Sequence, residues 1–299
     1  MPRCAVVYNP TKVSETFLAT LTTRLEADGW HQTLWLETSA DDPGHSMTAR
    51  AVAEQVDLVI GAGGDGTIRV VADELAKTGI PMGLIPAGTG NLLARNLGIP
   101  LEEDAAIEVA LGETTRTIDL VALTVDGDPG EHFAVMAGMG VDAMIMDETN
   151  PDLKAKIGSA AYFVAAGKAL GRLPMDVAIV VDGGRPHRRR AMLAMVGNVG
   201  ELTGNITLIP EAKPDDGMVD VFVASPHRLT HWIRVVIRLV FRHRHSNDSI
   251  DQWRGRRVEM RLRRRENYQL DGDVVGECLS LVAEVQPDAL HVRVPTAAD

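Results

Sequence analysis

The sequence predicts an α/β N-terminal domain built on a parallel sheet, followed by a C-terminal domain that is an antiparallel β-sandwich. Two observations carry this. Up to about Thr117, short apolar runs alternate with segments of helical spacing, as in strand-helix-strand units that cover both faces of a parallel sheet. Beyond it, strand-like runs follow one another across turn signals such as Asp126-Gly127 and Asp182-Gly183-Gly184, as in a sandwich. A length of 299 residues accommodates two ordinary domains.

Taken in order, Cys4–Tyr8 reads as a β-branched strand, Ser14–Ala27 as a helix and Thr33–Leu36 as a second strand. Met47–Gln55 is expected to be helical, Asp57–Ile60 extended, Thr67–Lys77 helical and Met82–Ile85 extended before Pro86. The sandwich strands are placed at Leu120–Val125, His132–Ala137, Val177–Val181, Ala191–Val196, Val219–Val223, Val258–Leu262, Leu279–Glu284 and Leu290–Val294. Two helices are expected among them, at Leu153–Leu170 and Leu229–Arg244.

Net charge is −11, which argues against nonspecific nucleic-acid binding. The positive charge is concentrated: His227–Arg265 holds twelve Arg and no Lys, a window of +9 against −20 for the remainder. Along Leu229–Arg244 the residues Arg234, Arg238 and Arg242 stripe one helix face and apolar side chains take the rest, which suits either an anionic bilayer surface or burial between domains against acids. No apolar run is long enough to span a bilayer and the first residues lack a signal-peptide core, so a cytoplasmic protein is expected that meets membrane only peripherally. Cys4 and Cys278 fit neither a disulfide framework nor a metal knuckle and read as small core residues.

Function is written in two glycine loops. Gly61-Ala62-Gly63-Gly64-Asp65-Gly66 follows a strand and matches a dinucleotide-binding fingerprint, but the ribose-binding acid expected about twenty residues on is missing, and Ile85-Pro86-Ala87 stands there. No Gly-Lys-Ser/Thr follows, so the loop is not a P-loop. A second loop, Pro86-Ala87-Gly88-Thr89-Gly90-Asn91, also follows a strand, so both should face one crevice at the carboxyl ends of neighbouring parallel strands, with helix N-termini ready for anions. Asp65 inside such a cradle would face a phosphate through a cation or a water. A purely structural turn remains the plainer alternative.

Read together, Gly63-Gly64-Asp65-Gly66-Thr67 and Pro86–Asn91 resemble the diacylglycerol kinase catalytic family, which includes bacterial lipid kinases and sphingosine kinases. Asn9-Pro10 with Lys12, Gly138–Asp142, Asn198, Pro210–Ala212, Asp215-Asp216-Gly217, Asp220 and Leu270-Asp271-Gly272-Asp273 continue the likeness along the chain. The resemblance implies an ATP-dependent kinase acting on a lipid hydroxyl, with an NAD-kinase and phosphofructokinase-like first domain. Residues 1–117 would bind nucleotide, 118–287 would form the lipid-substrate domain, and the last strand, about 288–299, would return to the first domain. ATP would lie against Asn9, Pro10, Thr11, Lys12, Val13, Thr38, Gly63, Gly64, Asp65, Gly66, Thr67, Ile68, Arg69, Thr89, Gly90 and Asn91. Asp273 would be the general base, Asp65 and Asp271 would join a Mg2+ and water network, and a structural Mg2+ would sit on Asp216 with the carbonyls of Lys213 and Met218. Without the family, Asp271-Gly272-Asp273 reads as an ordinary hairpin turn.

Three positions depart from the family pattern: Asp273 replaces a longer Glu, Leu92 replaces an Asp, and Arg69 replaces an Asn. Arg69 would either meet phosphate or pair with Asp73 or Glu74. Implied partners are a lipid substrate and an anionic membrane surface, no nucleic acid, and a second copy of the chain through an edge strand. The competing functions are a soluble-metabolite kinase similar to NAD kinase and a nucleotide-binding membrane sensor without turnover.

Overall fold

A computed structural model of the chain describes residues 2–140, 174–202, 207–225 and 250–296. The expected helices at 153–170 and 229–244, with the arginine stripe of the latter, lie outside the described residues.

Strands β1 (Arg3–Tyr8), β2 (Gln32–Glu37), β3 (Leu58–Gly63) and β4 (Met82–Pro86) form the parallel sheet, in the order β2-β1-β3-β4. Helices α1 (Glu15–Ala27), α2 (His45–Ala53), α3 (Asp65–Glu74), α4 (Leu92–Asn96) and α5 (Glu103–Leu111) accompany them. β1 is apolar without alternation because both faces are covered. Cys4 and Val6 pack with Phe17, Leu21 and Leu25 of α1 and Ile107 of α5, whereas Ala5 and Val7 pack with Ala51 of α2 and Ile68 and Val71 of α3. α1 begins where the Ser14 hydroxyl accepts the Phe17 N–H at 3.1 Å, and its buried residues recur every fourth position. Burying each of those three side chains stabilises the fold by about 1.5–3 kcal/mol. α4 and α5 were not foreseen.

The second half is the antiparallel sandwich. Its strands are β5 (Thr115–Val125), β6 (Asp128–Phe133), β7 (Met136–Met139), β8 (Met175–Val181), β9 (His187–Ala191), β10 (Leu193–Gly197), β11 (Val219–Ala224), β12 (Ile250–Gly255), β13 (Arg257–Leu270) and β14 (Asp273–Arg293). Phe133, Ile179, Val221, Val258, Met260 and Cys278 are among the side chains that fill its interior. Both cysteines are buried and free, and burial pushes each thiol up to about 12.

Two differences from the expected strands have physical causes. The run His132–Ala137 is not one strand: it breaks at Ala134-Val135, whose N–H groups turn to a buried carboxylate, Asp271. Conversely, the runs Leu279–Glu284 and Leu290–Val294 belong to one strand, β14, which shifts register against β5 between Gln286 and Leu290, around Asp288 at φ 52°. Past that bulge, β14 pairs parallel with β4 at Val292↔Met82, so a single strand runs from the sandwich into the parallel sheet.

Asp119, on β5 and 2% exposed, organises this passage. Its Oδ1 accepts the Asp288 N–H at the bulge (3.0 Å), its Oδ2 accepts the Gly217 N–H (2.7 Å), and its own N–H donates to the Pro214 carbonyl (2.6 Å). The side chain thus joins β14 to the loop before β11. Asp119→Ala leaves two N–H groups without their acceptor and is expected to cost about 2–4 kcal/mol. A lowered thermal midpoint checks this, and Asp119→Asn, which keeps one acceptor and turns an NH2 donor toward the other N–H, should lower it as well.

Candidate active site

The carboxyl ends of the four parallel strands meet at one edge. Asn9 follows β1 and donates its N–H to the Ala62 carbonyl (3.0 Å), Thr38 follows β2 and donates to the Tyr8 carbonyl (2.9 Å), and Ala87 follows β4 and donates to the Gly63 carbonyl (2.8 Å). The side chain of Asn9 turns back on its own loop, accepting both the N–H and the hydroxyl of Thr11 (2.9 and 2.8 Å), a turn that leaves Pro10, Thr11 and Lys12 exposed. Val13, Thr38, Thr67 and Ile68 are buried, and Val13 and Ile68 are core residues. Thr89 is exposed beside them on the second loop.

Asp65 is the first residue of α3, after Gly64 in an extended conformation. Its Oδ2 accepts the Asn91 N–H (2.8 Å) and its Oδ1 accepts the Leu92 N–H (2.6 Å). An acid inside the first glycine loop therefore caps the helix that begins in the second. The usual cap is taken: Asn91, left-handed at φ 49°, is locked to Gly88 by two hydrogen bonds of 2.9 and 2.8 Å. Contact between the loops is close enough to require glycine. A Cβ on Gly88 would stand 2.6 Å from the Gly64 Cα, and one on Gly90 would stand 2.6 Å from the Asp65 Oδ2. Burial is the main reason the Asp65 carboxyl lies above its ordinary range; the Leu92 and Asn91 N–H groups pull it down, and the nearby charge of Asp273 raises it again.

The Asp271-Gly272 turn joins β13 to β14, with both residues at positive φ and Leu270 paired to Asp273. It is a hairpin turn and also a site feature. Asp271 is buried and accepts N–H groups from Met136 (2.8 Å), Val135 (3.1 Å) and Ala134 (3.4 Å). Asn198 braces the same segment, donating from Nδ2 to the carbonyls of Ala134 and Asp119. Two residues on, Asp273 reaches the first glycine loop: its Oδ2 lies 3.1 Å from where a Cβ of Gly66 would be. Gly138 and Gly140 sit where side chains would strike β10 or Met192, while Val141 and Asp142 lie outside the described residues.

Arg69, on α3, pairs with neither Asp73 nor Glu74. Its Nε donates to Glu131 (2.9 Å), and its Nη1 donates to the Leu270 carbonyl (3.1 Å) and lies 3.7 Å from Asp273. Asp73 is engaged by His132 and Glu74 by His45. Glu131 carries no local signal, because it reaches Arg69 across 62 residues of chain. Leu92 is buried, with its Cδ1 3.9 Å from a Cβ built on Gly272, so an apolar side chain lines the site where the family pattern has an acid.

The loop before β11 holds a second acidic group. Asp216 accepts the Met218 N–H (3.1 Å) and is paired with Arg254, while Asp215 pairs with Arg116 (2.7 Å). Asp220 is pushed up to about 6 by burial; Arg254 opposes this, and the charges of Asp216 and Glu211 add to it. Asp216, Asp220 and Glu211 thus gather three acids about Arg254.

Burial likewise pushes Asp271 up to about 6, against the Met136 N–H and the Arg69 charge. The unfolded chain ionises at the ordinary value near 4, so this carboxyl favours the folded state at low pH and loses that contribution as pH rises to about 6. The difference in thermal midpoint between the native chain and Asp271→Asn is therefore expected to move in the variant's favour from pH 4 to pH 6 and then to level off. Paired melting curves across that range check it.

Comparisons with known proteins bear on the whole chain. The model of the diacylglycerol kinase catalytic domain matches residues 3–123, and that of the YegS C-terminal NAD kinase beta sandwich-like domain matches residues 134–294. The diacylglycerol kinase of Bacillus subtilis is 32% identical over 284 residues, covering 92% of this chain and 91% of its own. That of Mycobacterium tuberculosis is 32% identical over 259 residues, covering 86% and 82%. A crystal structure of a diacylglycerol kinase from Bacillus anthracis superposes with a TM-score of 0.75 at 22% identity, over 99% of this chain and 98% of that one, a likeness of fold. Both halves and nearly the full length agree, and the chain belongs to the diacylglycerol kinase family of lipid kinases.

Proposed function

We propose that the chain transfers the γ-phosphoryl group of ATP to the hydroxyl of diacylglycerol or a related lipid, at the cytoplasmic face of an anionic membrane. The observation that carries this reading is the meeting of Asp273 with the glycine loop at Gly66, beside Asp65 and Arg69. ATP lies along the sheet edge, its phosphates toward Gly63–Thr67 and Gly88–Asn91, with Asn9–Val13 and Thr38 on the adenosine side. Residues 1–117 supply this surface, and the lipid enters from 118–287.

Asp273 accepts the proton of the lipid hydroxyl as that oxygen bonds to the γ-phosphorus and the bond to the ADP oxygen breaks. Asp65 and Asp273 are like charges close together, a donor set that suits Mg2+, which when bound offsets the charge of the phosphates. Asp271 holds the turn that carries Asp273. Arg69 sets the position of the Asp273 carboxylate and gives the site a fixed positive charge. Asp216, with the carbonyls of Lys213 and Met218, would hold a structural Mg2+ in place of its pairing with Arg254, and such an ion would reinforce the loop that Asp119 anchors.

The test is transfer of labelled phosphate from ATP to diacylglycerol in phosphatidylglycerol vesicles, with the product identified by mass. Asp273→Asn is expected to lower kcat by about a hundredfold or more while ATP affinity changes little. Soluble hydroxylated metabolites should accept no phosphate, and the protein should sediment with the vesicles. Arg69→Ala is expected to lower kcat by roughly tenfold with KM for ATP unchanged, the signature of a positioning residue. A raised KM would place Arg69 on the phosphates instead.

A further inference from the structure

At the far end of α3 from the glycine loop, the geometry points to a separate metal site, which we propose binds a zinc-class divalent cation through His45, Asp73 and Glu74. One ligand atom from each of these side chains lies within 4.8 Å of the others. They come from two elements, His45 opening α2 and Asp73-Glu74 closing α3, so the packing of one helix on the other brings them together.

Electrostatics at this corner favour a cation for an independent reason. Asp73 and Glu74 stand in the last turn of α3, the negative end of the helix, where no basic residue occurs. Glu131 adds a third carboxylate, 3.8 Å from the His45 Nε2, and Arg69 is its cationic partner. With neutral histidines, Asp73, Glu74, Glu131 and Arg69 leave a net charge of −2, which a dication offsets.

The chemistry of the donors selects the ion class. An imidazole with two carboxylates suits zinc at bonds of about 2.0–2.2 Å. Tetrahedral geometry at such bonds needs ligand atoms about 3.4 Å apart, so the three side chains close inward on binding. His132 supplies the support such a site requires: its ring and its backbone N–H both reach the same Asp73 oxygen, Oδ1, at 2.6 and 2.9 Å, and so orient that carboxylate. A bound ion also draws on Glu131 and thereby reaches Arg69 and the Asp273 turn, linking this corner to the candidate active site.

The experiment uses the untagged full chain, stripped of metal and titrated with Zn2+ against a chromophoric chelator. The native chain is expected to bind one more equivalent than either His45→Ala or Glu74→Gln, or to bind it at least tenfold more tightly. Equal stoichiometry and affinity in the native chain and both variants would overturn the proposal, as would no zinc binding by the native chain. If the variants do not fold, X-ray absorption at the zinc edge of the native protein decides: a nitrogen and oxygen shell including imidazole supports the site, and a sulfur ligand or a shell without imidazole overturns it.

Discussion

The two glycine loops hold their arrangement through one carboxylate. Asp65 accepts the first N–H groups of the second loop's helix while lying at the start of the first loop's helix. Glycine at 88 and 90 is a consequence, because the loops so joined leave no space for a Cβ. The loops need side-chain support because a left-handed Asn91 begins α4 and its own amide is committed to Gly88. Any anion site at this edge inherits its shape from that single bridge.

Buried aspartates recur as the means of fixing irregular backbone. Asp65 joins two loops, Asp119 joins a strand bulge to the loop before β11, and Asp271 gathers three consecutive N–H groups where β6 gives way to β7. Each accepts backbone donors that would otherwise be buried without partners, a cost of about 1–3 kcal/mol apiece. Desolvation nonetheless outweighs the donors at Asp65 and Asp271, and both carboxyls are raised. Such groups specify a conformation at some expense in stability, as expected where the backbone must serve a site and cannot simply complete a ladder.

Much of this was legible in the sequence because the signals were local. The α/β half showed itself through continuous apolar strands, and the markers from Gly63 to Asp273 lie in short motifs with fixed spacing. What could not be read involves partners distant along the chain. Local spacing offers Arg69 a phosphate or its helical neighbours Asp73 and Glu74, yet its partner Glu131 is on β6. Nor did Asp119 stand out in an apolar strand, because its acceptors are needed only once β14 bulges at Asp288. The split of 132–137 followed from Asp271, on another hairpin. β9 and β12 escaped because His187–Ala191 and Ile250–Gly255 are polar, which suits strands away from the centre of the sheet.

β14 is where the two halves become one device. Its first residue, Asp273, stands at the glycine loop of α3, and near its last residue Val292 pairs with Met82 of the same parallel sheet. The strand therefore leaves the α/β half at the candidate site, runs through the sandwich interior, and is anchored in the α/β half again. Arg69 closes this loop of contacts by holding the Leu270 carbonyl and facing Asp273 from α3. A displacement of the sandwich relative to the parallel sheet must strain the Val292 pairing, the Asp119 bridge and the Arg69 contacts together. The distance between Asp273 and the first glycine loop is set by packing on both sides, which is the precision that phosphoryl transfer by positioning demands.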